Sequence, residues 1–437
     1  MKTLLQIRSS ILSEDGQWSQ LADRCVGYVR DFLGFLGMSE VEFVYGERLR
    51  ASPETTHERI RHALAHVDGL PSSPMTRRIM PLALSIATCF VASQLFAAEP
   101  AALIASSKRA TAIPPWPAGD QWGMANTLGA GTTARCAWHM SQPKARIYEL
   151  SYVRSSTMPL SAFSGPYVTK HKPTASIPGT AQVFNLESFG EGAEPGQQAT
   201  QIDALGHFGY LPQVWDGKAP LVTDGAHYYG GFTQKDVRPT PDSPLLKLGI
   251  EMIRPIITSA LVLDAKALVG GGRPMQAGQL VTAKHIEAML KAQGLETRGI
   301  LPGDVVYVRT GWGDYWQDPD TEKFYYTKAP GLSYDAAKYL GERRIVAIGL
   351  DTPFVDPIPE GMLAGKAGPA AGAPDGFPFA LHHYMLTQMG IHHVENAKLD
   401  DIANDKVWTS CTMILPQREK GSAGAAVRPV AIGVGAK

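Results

Sequence analysis

At 437 residues, with 44% hydrophobic and 19% charged residues, the chain has the composition of a globular protein long enough for two or three domains. Forty-one basic residues balance forty-one acidic ones, so net charge gives no footing to nucleic acid or an anionic membrane surface as a partner. The four cysteines form no CxxC pair, which argues against a zinc–cysteine site. For Cys136 and Cys411 the reading favours two buried free thiols over a bond made in an oxidising compartment.

Residues 1–74 carry a helical pattern over 23–36, closed by Gly37, and an alternating run Val41-Glu-Phe-Val-Tyr45. A capped helix with Pro53 in its first turn runs from Ser52 to about Val67. His57, His62 and His66 lie on that helix and read as a solvated face. The stretch from Tyr28 to Glu47 resembles the C-terminal end of flavodoxin-like FMN-dependent azoreductases. Only the last helix and strand of such a fold are expected, without its phosphate-cradling loop, so FMN binding is not. The segment reads as a fusion remnant or a mis-called start.

Residues 75–98 look like a secretory leader: a start Met75, Arg77 and Arg78, an apolar stretch, then Ala97 and Ala98. Leu95 makes the cleavage site imperfect, and Ser85, Thr88, Ser93 and Gln94 weaken the stretch as a membrane span, so no stable membrane insertion is expected. Translation from Met75 implies a periplasmic or secreted protein, and translation from Met1 a cytoplasmic one.

Residues 99–437 read as one catalytic domain. Strands are expected at 146–151, 260–264, 303–311, 344–351 and 391–395, and helices at 283–293, 333–340 and 379–389, the last stopped by Gly390. Strands mixed with a few helices indicate an α/β class. No Gly-rich nucleotide loop is present.

The run Gln197-Gln-Ala-Thr-Gln-Ile-Asp-Ala-Leu-Gly-His207 resembles the signature His-x-Gly-Thr-His-x-Asp-x-x-x-His of the cyclase family, which includes metal-dependent kynurenine formamidases and isatin hydrolases. Thr200, Asp203 and His207 match it. Gln197 and Gln201 stand at its first two histidines, and Ala199 at its glycine. Further blocks agree over about 320 residues: Gly303-Asp-Val-Val-Tyr-Val-Arg-Thr-Gly-Trp312, Pro330-Gly-Leu-Ser333, Ile348-Gly-Leu-Asp-Thr352, the pair His383 and Glu395, and Arg428-Pro-Val-Ala431.

The resemblance implies a swivelling β/β/α domain, a homodimer or homotetramer, and a hydrolase of non-peptide C–N bonds with a small-molecule substrate such as an aryl formamide or cyclic amide. It implies Asp203, His383 and Glu395 as metal ligands and His207 as proton donor. Gln197 and Gln201 weaken one of two family metal positions, because a carboxamide oxygen is a poorer zinc ligand than imidazole. One divalent metal per chain, Zn or Mn, is therefore expected, with the glutamines bonding substrate or water. Strand alternation pairs His393 with Glu395 and so competes with His383 as ligand; the family spacing favours His383. Thr200 and Asp351 are expected to support the site from behind. A lactone or ester hydrolase, or a binding protein that has lost its metal, are the alternatives.

Overall fold

The computed structural model describes residues 99–435, apart from 109–115, 162, 164 and 191–197, together with Thr3–Leu4 and Val41–Glu42. The chain divides into two units, Met1–Leu95 and Phe96–Lys437. In the first, Thr3–Leu4 pairs in parallel with Val41–Glu42. The helices expected over 23–36 and 52–67, and the leader-like segment 75–98, lie outside the described residues.

The second unit is built on one mixed sheet. Its strands are β1 (Arg146–Glu149), β4 (Gln201–Asp203), β5 (Ile256–Asp264), β6 (Val305–Arg309), β7 (Ala347–Leu350), β8 (His392–Glu395), β9 (Thr409–Ile414), β10 (Gly424–Ala426) and β11 (Val430–Gly433). A separate antiparallel hairpin joins β2 (Val168–Ser176) to β3 (Val183–Gly190). The order across the sheet is β10-β4-β8-β7-β6-β5-β9-β11-β1. The four central strands β8, β7, β6 and β5 are parallel, and the flanking pairs are antiparallel.

The central strands read as nearly unbroken apolar runs because both faces are covered. Leu261, Leu263, Val306, Val308, Ile348 and Leu350 face one core layer with Ile286, Met289, Ala336 and Leu340. Those four come from helices α2 (Ala283–Ala292) and α3 (Tyr334–Glu342). Ala260, Val262, Val305, Tyr307 and Ala347 face the opposite layer, closed by Ile402, Val407 and Ile414. Both helices begin where a side chain can satisfy a free N–H: Thr282 Oγ1 accepts from His285 N at 3.2 Å, and Ser333 Oγ from Ala336 N at 3.3 Å. His285 Nδ1 accepts in return from Thr282 N, which gives that histidine a structural role.

Helix α1 (Ala130–Met140) lies against β5 and β9. That packing brings Cys136 and Cys411 together as a disulfide, which replaces the expectation of two free thiols. The same helix contributes to a buried charge cluster. Arg298 donates to Glu99 Oε1 at 2.8 Å and to Asp304 Oδ2 at 2.6 Å, and Arg135 donates to Asp304 Oδ1 at 3.2 Å and to Ser259 Oγ at 2.7 Å. His139 Nε2 lies 2.9 Å from Glu99 Oε1.

Before β8 the chain makes a π-helix over His382–Met389, ended by Gly390 in the left-handed region at φ 66°. Gly390 O accepts from Met124 N at 2.8 Å, and a Cβ on Gly390 would sit 2.5 Å from Gly123 Cα. Only glycine meets both demands, the positive φ and the backbone contact.

Candidate metal centre

The site is assembled by β4, β8 and the π-helix. In the antiparallel β4/β8 pair Glu395 lies across from Gln201 and Val394 from Ile202, and one further step sets Asp203 beside His393. Residues two apart on a strand share a face, so His393 accompanies Glu395, while His392 turns to the other side. There His392 Nδ1 lies 3.2 Å from the backbone oxygen of Asp203.

The turn before β4 is locked. Ala199 stands at φ 59°, in the conformation that favours the glycine of the signature, and its carbonyl accepts from Asn396 Nδ2 at 2.7 Å. Thr200 Oγ1 donates to Asn396 O at 2.7 Å and accepts from Tyr152 N at 3.0 Å, so Thr200 braces the backbone. Asp351 accepts from Thr310 N, Thr310 Oγ1 and Gly311 N at 2.7–2.8 Å and holds the turn that follows β6. Burial pushes its carboxyl up to about 6 despite those bonds.

Asp203, His382, His393 and Glu395 converge, all buried, with one potential ligand atom from each lying within 4.8 Å of the others. His382 Nε2 is 3.4 Å from Asp203 Oδ2 and 3.6 Å from Glu395 Oε1. Its other nitrogen, Nδ1, is 2.5 Å from Asp356 Oδ2, and Asp356 is itself held by Leu381 N at 2.8 Å. The sequence places His383 in this set, and the structure does not. His383 stacks on Phe377 at 3.9 Å, and its Nε2 lies 2.9 Å from Gln388 Nε2. It belongs to a neighbouring cavity of about 330 Å³. The ring that reaches the cluster is that of His382, at the start of the π-helix, thirteen positions before Glu395 and not twelve.

His393 is the alternative that strand alternation offers, and His382 stands outside the ligand set that the resemblance implies. Asp356 had no signal beyond its closeness to the Gly-Leu-Asp-Thr block. Gln197 lies outside the described residues.

Burial works to raise the Asp203 carboxyl, but His207, His382 and His393 hold it well below the usual carboxylate range. Burial and the Asp203 charge push Glu395 well above that range. Burial would lower His382, yet Asp203, Asp356 and Glu395 keep it well above its ordinary value. Burial, reinforced by His382, drives His393 well below its own.

The donor set fits a divalent cation. Both ring nitrogens of buried His393 are without a hydrogen-bond partner. An imidazole left unbonded in such a place is costly unless something binds it. Two carboxylates and two imidazoles form a mixed oxygen and nitrogen set that suits zinc or manganese. The Asp356–His382 contact is the carboxylate–histidine arrangement that orients a ligating ring. Among the described residues this is the one cluster of its kind.

The cluster opens on a cavity of about 180 Å³ lined by Phe163, Phe208, Phe354 and Phe379, with Gln201 and His207 among its polar groups. The His207 ring centroid lies 6.0 Å from that of His382, and burial lowers its pKa.

A family model described as Putative cyclase matches residues 75–357, more than half of the chain. Kynurenine formamidase of Bacillus cereus (strain ATCC 14579) is 30% identical over 102 residues, which cover 23% of this chain and 41% of that protein. The N-terminal part matches FMN-dependent NADH:quinone oxidoreductase of Leptothrix cholodnii at 38% identity over 61 residues, or 14% of this chain and 29% of that enzyme. The chain thus spans less than half the length of either relative. A solved structure described as a novel cyclase superposes with a TM-score of 0.57 at 20% identity, covering 72% of this chain and 97% of that one, and shares the fold. On the family match and the shared fold, the chain belongs to the cyclase family.

Proposed function

We propose that this chain is a metal-dependent hydrolase that cleaves a non-peptide C–N bond in an aryl formamide or a cyclic aryl amide. The observation that carries the reading is the buried convergence of Asp203, His382, His393 and Glu395 beside an aromatic-walled cavity. The kynurenine formamidase relative supports the amide chemistry.

Asp203, His382, His393 and Glu395 would hold the cation, with Asp356 fixing the His382 ring. Bound there, a divalent ion supplies Lewis-acid polarisation of the substrate carbonyl. The four phenylalanines bind the aryl ring and exclude water from it. His207 lines the same cavity, and its lowered pKa keeps the ring neutral near neutral pH. A neutral imidazole accepts a proton from the attacking water as the C–O bond forms. It returns that proton to the leaving nitrogen as the C–N bond breaks. The products are a carboxylate and an amine.

The test is elemental analysis of the purified full chain, paired with hydrolysis assays on N-formylanilines and aryl lactams. About one divalent ion per chain, together with amide cleavage, is the expected result. A chain that takes up no metal under any loading condition would be a binding protein of the same fold.

The reading also places the protein outside the reducing cytosol. The leader-like residues 75–98 and the Cys136–Cys411 bond support it. Free-thiol counting on protein from the native host checks it: both cysteines reactive would return the chain to the cytosol.

A further inference from the structure

Gln201 occupies a position that the metal cluster does not explain. Its side chain is buried, lies across from Glu395 on the paired strand and lines the aromatic cavity. Its Nε2 donates to Glu395 Oε2 at 3.0 Å. Glu395 Oε1, the oxygen nearer His382, accepts from Val355 N at 3.0 Å. With a cation held in the cluster the Glu395 carboxylate is ionised and only accepts, so the Gln201 amide cannot turn over without setting oxygen against oxygen. This leaves Gln201 Oε1 as an oriented acceptor with no partner among the described residues.

A buried acceptor left unmade is costly, and a bound molecule that brings a donor removes that cost. The cavity is otherwise lined by Phe163, Phe208, Phe354 and Phe379, none of which donates, and by the polar groups Ser161, His207, Tyr326, His382 and Glu395. A secondary amide brings one N–H, on the nitrogen whose bond is to be broken. An ester, a lactone or a tertiary, N-alkylated amide brings none.

We propose that Gln201 reads the N–H of the scissile amide, so that the site takes secondary aryl formamides and N–H lactams and rejects esters, lactones and N-alkylated amides. The inference rests on the hydrolase reading above and narrows its substrate class. Gln201 acts here as a specificity-determining residue. It acquires this role because a carboxamide replaces the imidazole of the family signature: an imidazole on the metal has no free acceptor to offer.

The experiment is calorimetric titration of the metal-loaded full chain with a stable benzo-fused lactam bearing N–H and with its N-methyl counterpart. Both are repeated on Gln201→Met, which keeps the volume and removes the acceptor. Metal content is measured for each protein. A site built to bond an N–H rejects an analogue lacking it strongly, and here the expected preference for the N–H lactam is at least about 10-fold. In Gln201→Met, with metal retained, the preference should fall towards unity.

Equal binding of the two lactams by the unaltered chain overturns the role of Gln201 and leaves the hydrolase reading standing. That comparison needs no variant to fold. A preference that persists unchanged in Gln201→Met assigns it to the bulk of the methyl group and also overturns the proposal. Loss of metal from Gln201→Met would make Gln201 a ligand instead. Failure of both lactams to bind, with no C–N substrate cleaved by protein that holds metal, sinks the hydrolase reading and this inference with it.

Discussion

Two buried clusters in the second unit contain carboxylates, and they solve the same electrostatic problem in opposite ways. Around Glu99 and Asp304 the compensation comes from the protein: Arg135 and Arg298 supply two guanidinium groups, and every charge has a partner within hydrogen-bond reach. Around Asp203 and Glu395 it does not. Asp356 adds a third carboxylate, His382 is the one ring held towards its charged form, and His393 is driven neutral with both nitrogens unbonded. A closed cluster pins a fold, whereas one short of positive charge and lined with lone pairs is built for a cation from outside.

The substitution expected to break this contrast most is Asp203→Asn. It removes a charge and a ligand oxygen from the open cluster, so metal should be lost and C–N hydrolysis should drop by at least about 100-fold, given that even supporting residues cost ~10–100-fold. Elemental analysis and steady-state kinetics on one preparation check it. Retention of full metal occupancy would contradict the ligand set.

Next comes Arg298→Met, which leaves Glu99 and Asp304 short of their cation in the closed cluster. The expected cost is ~3–5 kcal/mol in unfolding free energy, read by chemical denaturation, with metal stoichiometry of the folded fraction unchanged. A smaller effect belongs to Asp356→Asn, which frees the His382 ring to rotate. Metal affinity should weaken by ~10–100-fold in chelator competition while the fold's melting temperature in the absence of metal stays close to that of the parent.

The mildest test is acid titration. Arg298 and His139 overcome the effect of burial and lower the Glu99 carboxyl from 4.5 to about 2. A depressed carboxylate stabilises the fold fully above its unfolded value. Its contribution therefore stands above about pH 4.5 and is lost as pH falls from there towards about 2. Glu99→Gln should flatten the acid limb of the melting-temperature profile over that window. An unchanged limb would mean that other carboxylates set the acid sensitivity.

Much of this was legible along the chain. The strands over 260–264 and 344–351, the helices over 283–293 and 333–340, the stop at Gly390 and the alternation that groups His393 with Glu395 all follow from patterns a few residues long. Asp203 and Gln201 came from the signature and Glu395 from its spaced pairing with His383, and the structure brings all three to one place. Spacing misled at the start of the π-helix: adjacent His382 and His383 are equivalent by composition, and it is the folded backbone that turns His382 to the carboxylates.

What the sequence by itself determined is therefore the local grammar: element types, the α/β class, the family resemblance and the residue kinds available to a metal. The tertiary structure decided which of them meet. Asp356 reaches His382, Gln201 reaches Glu395 across 194 residues, Arg298 reaches Glu99 across 199, and Cys136 reaches Cys411 across 275. Periodicity and capping act over one or two turns of chain. Contacts this distant depend on strand order and on which faces the core covers, and no single stretch of sequence carries that information.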